Sequence, residues 1–280
     1  MVLGGLSPMA QAQTGLNIQL VPETTAIVPG QPFRIGLYLQ PQAGWHTYWR
    51  QPGIVGVPTS IQWQLPEGFT AGELEYPEPD SIFMFRIKAQ GFKRDVLLQT
   101  VITPPSNLPL GKSVLIHGKA TWMCCGDSCH PGQKELSLTL PVAATSSTHV
   151  QWQPLFEKAR QAYPQSSTVW TTQASEDGLK VTLVVRPKEG ARSFTADEKI
   201  IFFTEDGWIN TDEPQPQELA ADGSLTIHLT RADVYLGKTV PDQLHGLLQR
   251  EGGWEPGATW RSLTIAPNLH RDATKTEAKK

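Results

Sequence analysis

Short runs in which apolar and polar residues alternate recur along almost the whole chain, and a period of two leaves few folds open. Leu16-Asn17-Ile18-Gln19-Leu20 and Ile61-Gln62-Trp63-Gln64-Leu65 alternate strictly. Ile116, Gly118, Ala120 and Trp122 fall on one side of a run whose other side carries His117, Lys119 and Thr121. Leu136, Leu138, Leu140 and Val142 repeat the pattern, with Ser137 and Thr139 between them. Half-buried antiparallel strands have this signature. Turn formers at Pro29-Gly30, Pro66-Glu67-Gly68 and Pro104-Pro105 separate the runs. The expected class is all-β. At 280 residues the chain is too long for one ordinary β-sandwich and comfortable for two.

The alternation pauses near residues 143–150, where Ala-Ala-Thr-Ser-Ser-Thr is small, polar and uncommitted. A linker is expected there. A short helical piece follows, with Leu155, Phe156 and Ala159 spaced for one face. Beyond it Leu179-Lys180-Val181-Thr182-Leu183 and Leu225-Thr226-Ile227-His228-Leu229 alternate again. Lys199-Ile200-Ile201-Phe202-Phe203 reads as a more buried strand, and Trp260 to Ile265 as the strand closing the second sheet. Two sandwiches in series are therefore expected, residues 13–146 and 151–268. Residues 269–280, charged from His270 onward, read as a disordered tail. The second sandwich has no cysteine, and its His228 and His245 stand alone as solvated side chains.

The charge balance removes some classes of function. Twenty-four Lys and Arg against 27 Asp and Glu give a net charge of −3, no basis for binding nucleic acid or an anionic membrane. No stretch reaches the roughly 18 apolar residues of a membrane helix. Ala10-Gln11-Ala12 fits the small-x-small pattern of a signal-peptidase site. Residues 1–12 are then the remnant of a signal peptide, the mature chain begins near Gln13, and the protein is exported.

The three cysteines, Cys124, Cys125 and Cys129, lie in a single cluster. A disulfide framework would spread an even number through the chain. Gly126-Asp127-Ser128 has turn chemistry, which makes the segment a hairpin tip. Residues opposite one another in antiparallel strands have Cα atoms about 4.5–5.5 Å apart, within the range a disulfide needs. Cys125 and Cys129 flank the tip and can meet that requirement; Cys124 faces the other way and is the poorer partner. So small a ring removes little chain entropy, and a loop tip is open to an attacking thiolate. Three readings stay open on these residues: redox exchange, a structural disulfide, and a metal site. Met123, Cys124, Cys125, Cys129 and His130 are soft ligands suited to Cu(I). Zinc is disfavoured, because no second Cys or His cluster supplies the other half of a site.

Trp122-x-x-Cys125-x-x-x-Cys129-x-Pro131 resembles the motif of the N-terminal periplasmic domain of the DsbD family of thiol:disulfide interchange proteins, closest to its ScsB branch, linked to suppression of copper sensitivity. Gly44-Trp45-His46-Thr47-Tyr48-Trp49 with Pro52-Gly53, Gly56 and Pro58-Thr59 resembles a second motif of that domain. Trp63-x-Leu65-Pro66-Glu67-Gly68-Phe69 and the run from Val96 to Pro104 fit as well, and Leu244-His245-Gly246-Leu247-Leu248 is similar to a motif of the second domain in the ScsB branch. The resemblance implies immunoglobulin-like sandwiches and a periplasmic location. It also implies a redox pair formed by Cys125 and Cys129, with Cys129 attacking, and no cofactor beyond that pair. The implied partners are a thioredoxin-fold periplasmic protein and a separate membrane electron conduit of the DsbD/CcdA type. A loop caps the pair in relatives; Phe83, Phe85 and Tyr76 are the candidates for it here. Trp122, on the strand entering the hairpin, is a candidate shield, and His130 a candidate for lowering the Cys129 pKa. Trp45, Tyr48, Trp49 and Trp63 read as core. Two departures stand out: Ile54-Val55 replaces the Asp-Ser that relatives carry between the paired glycines, and Cys124 is an addition. The alternative function is periplasmic Cu(I) binding in copper tolerance.

Overall fold

A computed structural model describes residues 15–271; the proposed cleavage site at Ala12 and tail residues 272–280 lie outside the described residues. The first sandwich contains β1 (Leu16–Pro22), β2 (Phe33–Pro41), β3 (His46–Tyr48), β4 (Ser60–Gln64), β5 (Thr70–Ala71), β6 (Asp80–Met84), β7 (Ile87–Phe92), β8 (Val96–Thr103), β9 (Ser113–Cys125) and β10 (Cys129–Pro141). One sheet runs β1-β2-β8-β5; the other runs β10-β9-β3-β7-β6, with β4 also pairing with β9. Alternation in sequence becomes burial in space. Ile35, Leu37, Leu39 and Leu98 of one sheet join Ile116, Ala120, Trp122 and Leu136 of the other in one apolar core.

The helix α1 (Gln153–Gln161) explains why Val96-Leu97-Leu98 is apolar without a break. Leu98 faces the sandwich core, whereas Leu97 and Val21 face outward and are covered by Phe156 and Ala159 of the helix. Gly36 leaves the space for Leu97: a Cβ there would lie 2.3 Å from the Leu97 side chain. The helix thus packs on the first sandwich, whereas the sequence reading began the second unit at residue 151. The 143–150 segment is also tied down. Ala143 N–H donates to Ile27 O (3.0 Å), Thr25 N–H to Ser147 O (2.9 Å) and Ala26 N–H to Ser146 Oγ (3.0 Å). Small hydroxyl residues, read as linker composition, here satisfy backbone groups of the β1–β2 loop.

The second sandwich contains β11 (Trp170–Asp177), β12 (Lys180–Pro187), β13 (Ile200–Thr204), β14 (Gln217–Leu219), β15 (Leu225–Thr230), β16 (Gly246–Arg250), β17 (Ser262–Ile265) and β18 (Leu269–Arg271). Its sheets run β14-β15-β12-β11-β18 and β13-β16-β17. The expected tail therefore starts too early at 269. Residues 269–271 form a strand parallel to β11, with Leu269 buried and Arg271 paired with Glu176 at 3.0 Å. A three-residue strand with one apolar side chain gives no periodic signal.

Strand β13 lies at the edge of its sheet, yet its edge is closed. The Gln90, Gln215 and Gln217 side chains each accept from one backbone N–H and donate to the carbonyl of the same residue. Gln90 serves Thr204 (2.8 and 2.8 Å), Gln215 serves Phe202 (2.9 and 2.9 Å) and Gln217 serves Ile200. Gln90 belongs to β7, so one rung of this ladder crosses between the sandwiches. Phe203 and Leu247 of the second unit join the core of the first. The buried Glu78 carboxylate accepts from Arg261 Nε (3.0 Å) and Ser262 Oγ (2.6 Å) across the same junction.

Candidate functional site

The long strands β9 and β10 are in register from Ser113–Pro141 to the hairpin end, where Cys125 lies opposite Cys129. A disulfide joins the two, with Cα atoms 4.1 Å apart. Gly126 N–H donates to Ser128 O at the tip (3.0 Å). Trp45 walls the tip: its ring lies 3.1 Å from where a Cβ on Gly126 would stand.

Alternation along β9 and β10 sorts the nearby side chains onto two faces. On one face Cys125 and Cys129 pack with Met123, Tyr48, Ile82, Met84, Ala89 and Val55. The other face carries Trp122, buried in the sandwich core with Cys124, and His130, which lies opposite Cys124 in the register. The five soft ligands of the copper reading are therefore divided, with Met123, Cys125 and Cys129 on one side and Cys124 and His130 on the other. Among the described residues no group of three His, Cys, Asp or Glu side chains is gathered to hold a metal. Burial in the core pushes the Cys124 thiol up to about 11, which leaves it protonated and unreactive near neutral pH.

The same sorting corrects two supporting roles. Trp122 covers Cys124 and not the disulfide; it lies over Gly132, where an added Cβ would come within 2.3 Å of the indole. His130 turns from Cys129 toward Trp45, with ring centroids 5.5 Å apart, and its Nε2 is 2.8 Å from Ser128 Oγ. Pro131 is exposed on the edge strand β10, opposite Met123, where no ladder N–H is needed.

The β6–β7 hairpin covers the disulfide, but through different residues from those expected. Ile82 and Met84 face the cysteines. Phe83 falls on the opposite face and is 56% exposed. Phe85 occupies the two-residue tip, 71% exposed, with φ 56°, the one positive φ at a non-glycine among the described residues. Tyr76 is away from this group, packing on the sandwich core and donating its hydroxyl to Thr59 O.

Tyr48, which reads as core in the sequence, reaches the disulfide. Its hydroxyl donates to Cys125 Sγ at 3.2 Å, and His46 Nε2 lies 3.4 Å from the same oxygen. His46 faces Cys125 directly in the β3–β9 register. Burial raises Tyr48 to about 12, so it remains a donor, and burial lowers His46, so its imidazole stays neutral at pH 7. The signal was present in Gly44–Trp49, since His46 and Tyr48 share a face at a spacing of two. Gly53 and Gly56 hold the neighbouring loop against this group. Both have φ near +100°, and a Cβ on Gly56 would stand 2.2 Å from the Tyr48 ring.

Chemically, the arrangement offers a half-exposed sulfur, Cys129, bonded to a buried one, Cys125, that has a hydrogen-bond donor waiting. Attack on Cys129 expels Cys125 as a thiolate, and Tyr48 is positioned to stabilise it.

Residues 18–141 match the family described as thiol:disulfide interchange protein DsbD, N-terminal. The first sandwich belongs to the DsbD N-terminal family. It is a thiol–disulfide exchange domain, of a family whose N-terminal domains are periplasmic. The two-sandwich architecture is immunoglobulin-like and resembles the N-terminal periplasmic domain of ScsB from Proteus mirabilis. That likeness has a TM-score of 0.61 at 16% identity and covers 91% of this chain and 94% of that one. The DsbD N-terminal domain of Neisseria meningitidis in the reduced form aligns with 46% of this chain and 89% of its own, at 12% identity and a TM-score of 0.23. No curated protein matches the chain. Among the described residues no helix is long and apolar enough to cross a membrane.

Proposed function

We propose that this protein is a periplasmic dithiol–disulfide relay that passes electrons to a thioredoxin-fold protein, with Cys129 as the exchanging sulfur and Cys125 as the resolving one. The observation that carries the reading is the asymmetry of the pair: Cys129 is half-buried at a hairpin end, while Cys125 is fully buried against the Tyr48 hydroxyl. In the forward direction the Cys129 thiolate attacks the partner's disulfide, forming a mixed disulfide and releasing one partner thiolate, which takes up a proton. The Cys125 thiolate then attacks Cys129 Sγ, which breaks the mixed disulfide and frees the second partner thiol. Two electrons leave the chain as the Cys125–Cys129 bond forms. A dithiol of a separate membrane conduit restores the reduced pair by the reverse sequence.

The chain contains no Gly-rich dinucleotide fingerprint and no Cys-x-x-Cys, which supports reliance on a protein reductant. The test is a Cys125→Ser variant expressed in the periplasm. It is expected to accumulate a mixed disulfide between Cys129 and a thioredoxin-fold protein, which Cys129→Ser abolishes. Absence of any adduct, with rapid turnover of protein disulfides by the purified chain and a nicotinamide cofactor, would count against the relay.

A further inference from the structure

We propose that the second sandwich braces the hairpin covering the disulfide, and that Asp212 and Thr211 are positioning residues that set how readily this hairpin lifts from Cys125 and Cys129. The inference rests on the reading that the pair exchanges, and it assigns the second sandwich a part in that exchange.

The hairpin outruns its own sheet. Strand β7 pairs with β6 along its length, but with β3 only at Gly91 and Phe92. Toward the tip, the side of β7 that β3 has left would present bare backbone groups. Gln90 N–H is met by Pro52 O (2.8 Å). At Lys88 the second sandwich takes over. Asp212 Oδ1 accepts from Lys88 N–H (2.7 Å), and Thr211 Oγ1 donates to Lys88 O (3.2 Å). Two side chains from the second unit thus complete the strand edge where the first unit has no strand to offer. The next residue, Ala89, and its cross-strand partner Ile82 belong to the same buried cluster as Cys125.

Further ties secure the base of the hairpin. Gln90 exchanges two hydrogen bonds with Thr204, and Gln249 Nε2 donates to Pro79 O (3.2 Å). Thr211 also touches the loop beside Tyr48: a Cβ on Gly53 would stand 2.2 Å from Thr211 Oγ1. Behind the hairpin lies a cleft of about 400 Å³ bordered by Ser81, Lys88, Phe202 and Gln215, so the hairpin has room to move once its edge bonds are released. Cys129 is only half-exposed and packs in one cluster with Ile82, Met84 and Ala89 of the hairpin, so lifting the hairpin opens Cys129 to an attacking thiolate.

The experiment uses the full chain and a small reductant, so that it does not depend on a protein partner. Dithiothreitol reduces Cys125–Cys129 and is itself oxidised to its cyclic disulfide. The reduction rate is read by mass after alkylation, beside hydrogen exchange of residues 80–92. Thr211→Val with Asp212→Ala is expected to speed reduction about tenfold, the loss of two hydrogen bonds expressed as a rate. Exchange should rise in the hairpin and stay unchanged in β9, β10 and β12. Asp212→Asn keeps an acceptor and is expected to restore the slow rate. Thr211→Val alone, a change of similar shape, serves if the double variant does not fold, and is expected to give about a threefold effect. Unchanged reduction in a folded variant overturns the brace, as does Asp212→Asn behaving like Asp212→Ala or an acceleration spread evenly over both sandwiches. Failure of the wild-type protein to exchange with any thioredoxin-fold protein would instead overturn the relay and leave these rates as they are.

Discussion

The Tyr48 hydroxyl donates a hydrogen bond to Cys125 Sγ over 3.2 Å, so the central strand β3 places a donor on the buried sulfur of the disulfide. Tyr48→Phe keeps the ring and removes the donor. The expected outcome is a five- to tenfold slower release of Cys125 on attack at Cys129, about 1 kcal/mol, with little change in the unfolding midpoint. Stopped-flow exchange with a thioredoxin-fold dithiol measures it; equal rates would remove Tyr48 from the chemistry.

Gly56 has φ +99°, and the Tyr48 ring occupies the space a Cβ would need. Gly56→Ala combines backbone strain with a clash. It is expected to cost about 2 kcal/mol or more in denaturant unfolding and to slow exchange as Tyr48 is displaced. A stable, fully active variant would mean that the 52–58 loop does not hold the ring.

His46 gives the site a dependence on acid. Burial lowers its pKa, so below the ordinary histidine value of about 6.5 the unfolded chain binds a proton that the native chain refuses. Stability is therefore intact at pH 7 and falls as pH drops toward 5. His46→Gln removes the titrating group, and its urea midpoint is expected to fall less than that of the wild type over the same range. An identical decline in both proteins would assign the acid sensitivity elsewhere.

Cys124 is expected to be silent. Its buried, protonated thiol should resist iodoacetamide at pH 8 in the native protein and react once denaturant is added. Cys124→Ala should cost about 1 kcal/mol of packing and leave exchange intact. Labelling of native Cys124 would show that the β9 face is open.

Phe85 holds a left-handed φ that glycine adopts without cost, and it does so while mostly exposed. Phe85→Gly is expected to raise stability slightly and to slow exchange with a protein partner severalfold, while reduction by dithiothreitol is unaffected. Equal loss with both reductants would point to collapse of the hairpin instead of a lost docking contact.

Strands were legible because one face of each is buried: Leu16, Ile18 and Leu20 declared β1, and Ile116 to Trp122 declared β9. The hairpin tip was legible from Gly126-Asp127-Ser128, and the opposite facing of Cys124 from the period of two. The rest depended on contacts distant in sequence. Tyr48 looked like any core aromatic, because its hydroxyl partner is supplied by β9. Aromatic size makes Phe83 conspicuous in the sequence, whereas the face that Ile82 presents is fixed by the pairing of the hairpin. The placement of α1 and the early start given to the tail failed for a shared reason. Phe156 is buried by Val21 and Leu97, and Arg271 is held by Glu176, partners that no local pattern names.

The glutamine ladder on β13 bears on how the protein can be handled. Ile200-Ile201-Phe202-Phe203 is a short, uncharged, strongly β-forming run on a sheet edge, the kind of segment that templates aggregation. Side-chain amides engage the N–H and carbonyl of Ile200, Phe202 and Thr204 before a neighbouring chain can reach them. Two of these gatekeepers travel with the second sandwich, but Gln90 is on the first. Excised alone, the second unit would carry an open rung at Thr204, at the end of its stickiest strand. The first sandwich thus acts as a solubility partner for the second.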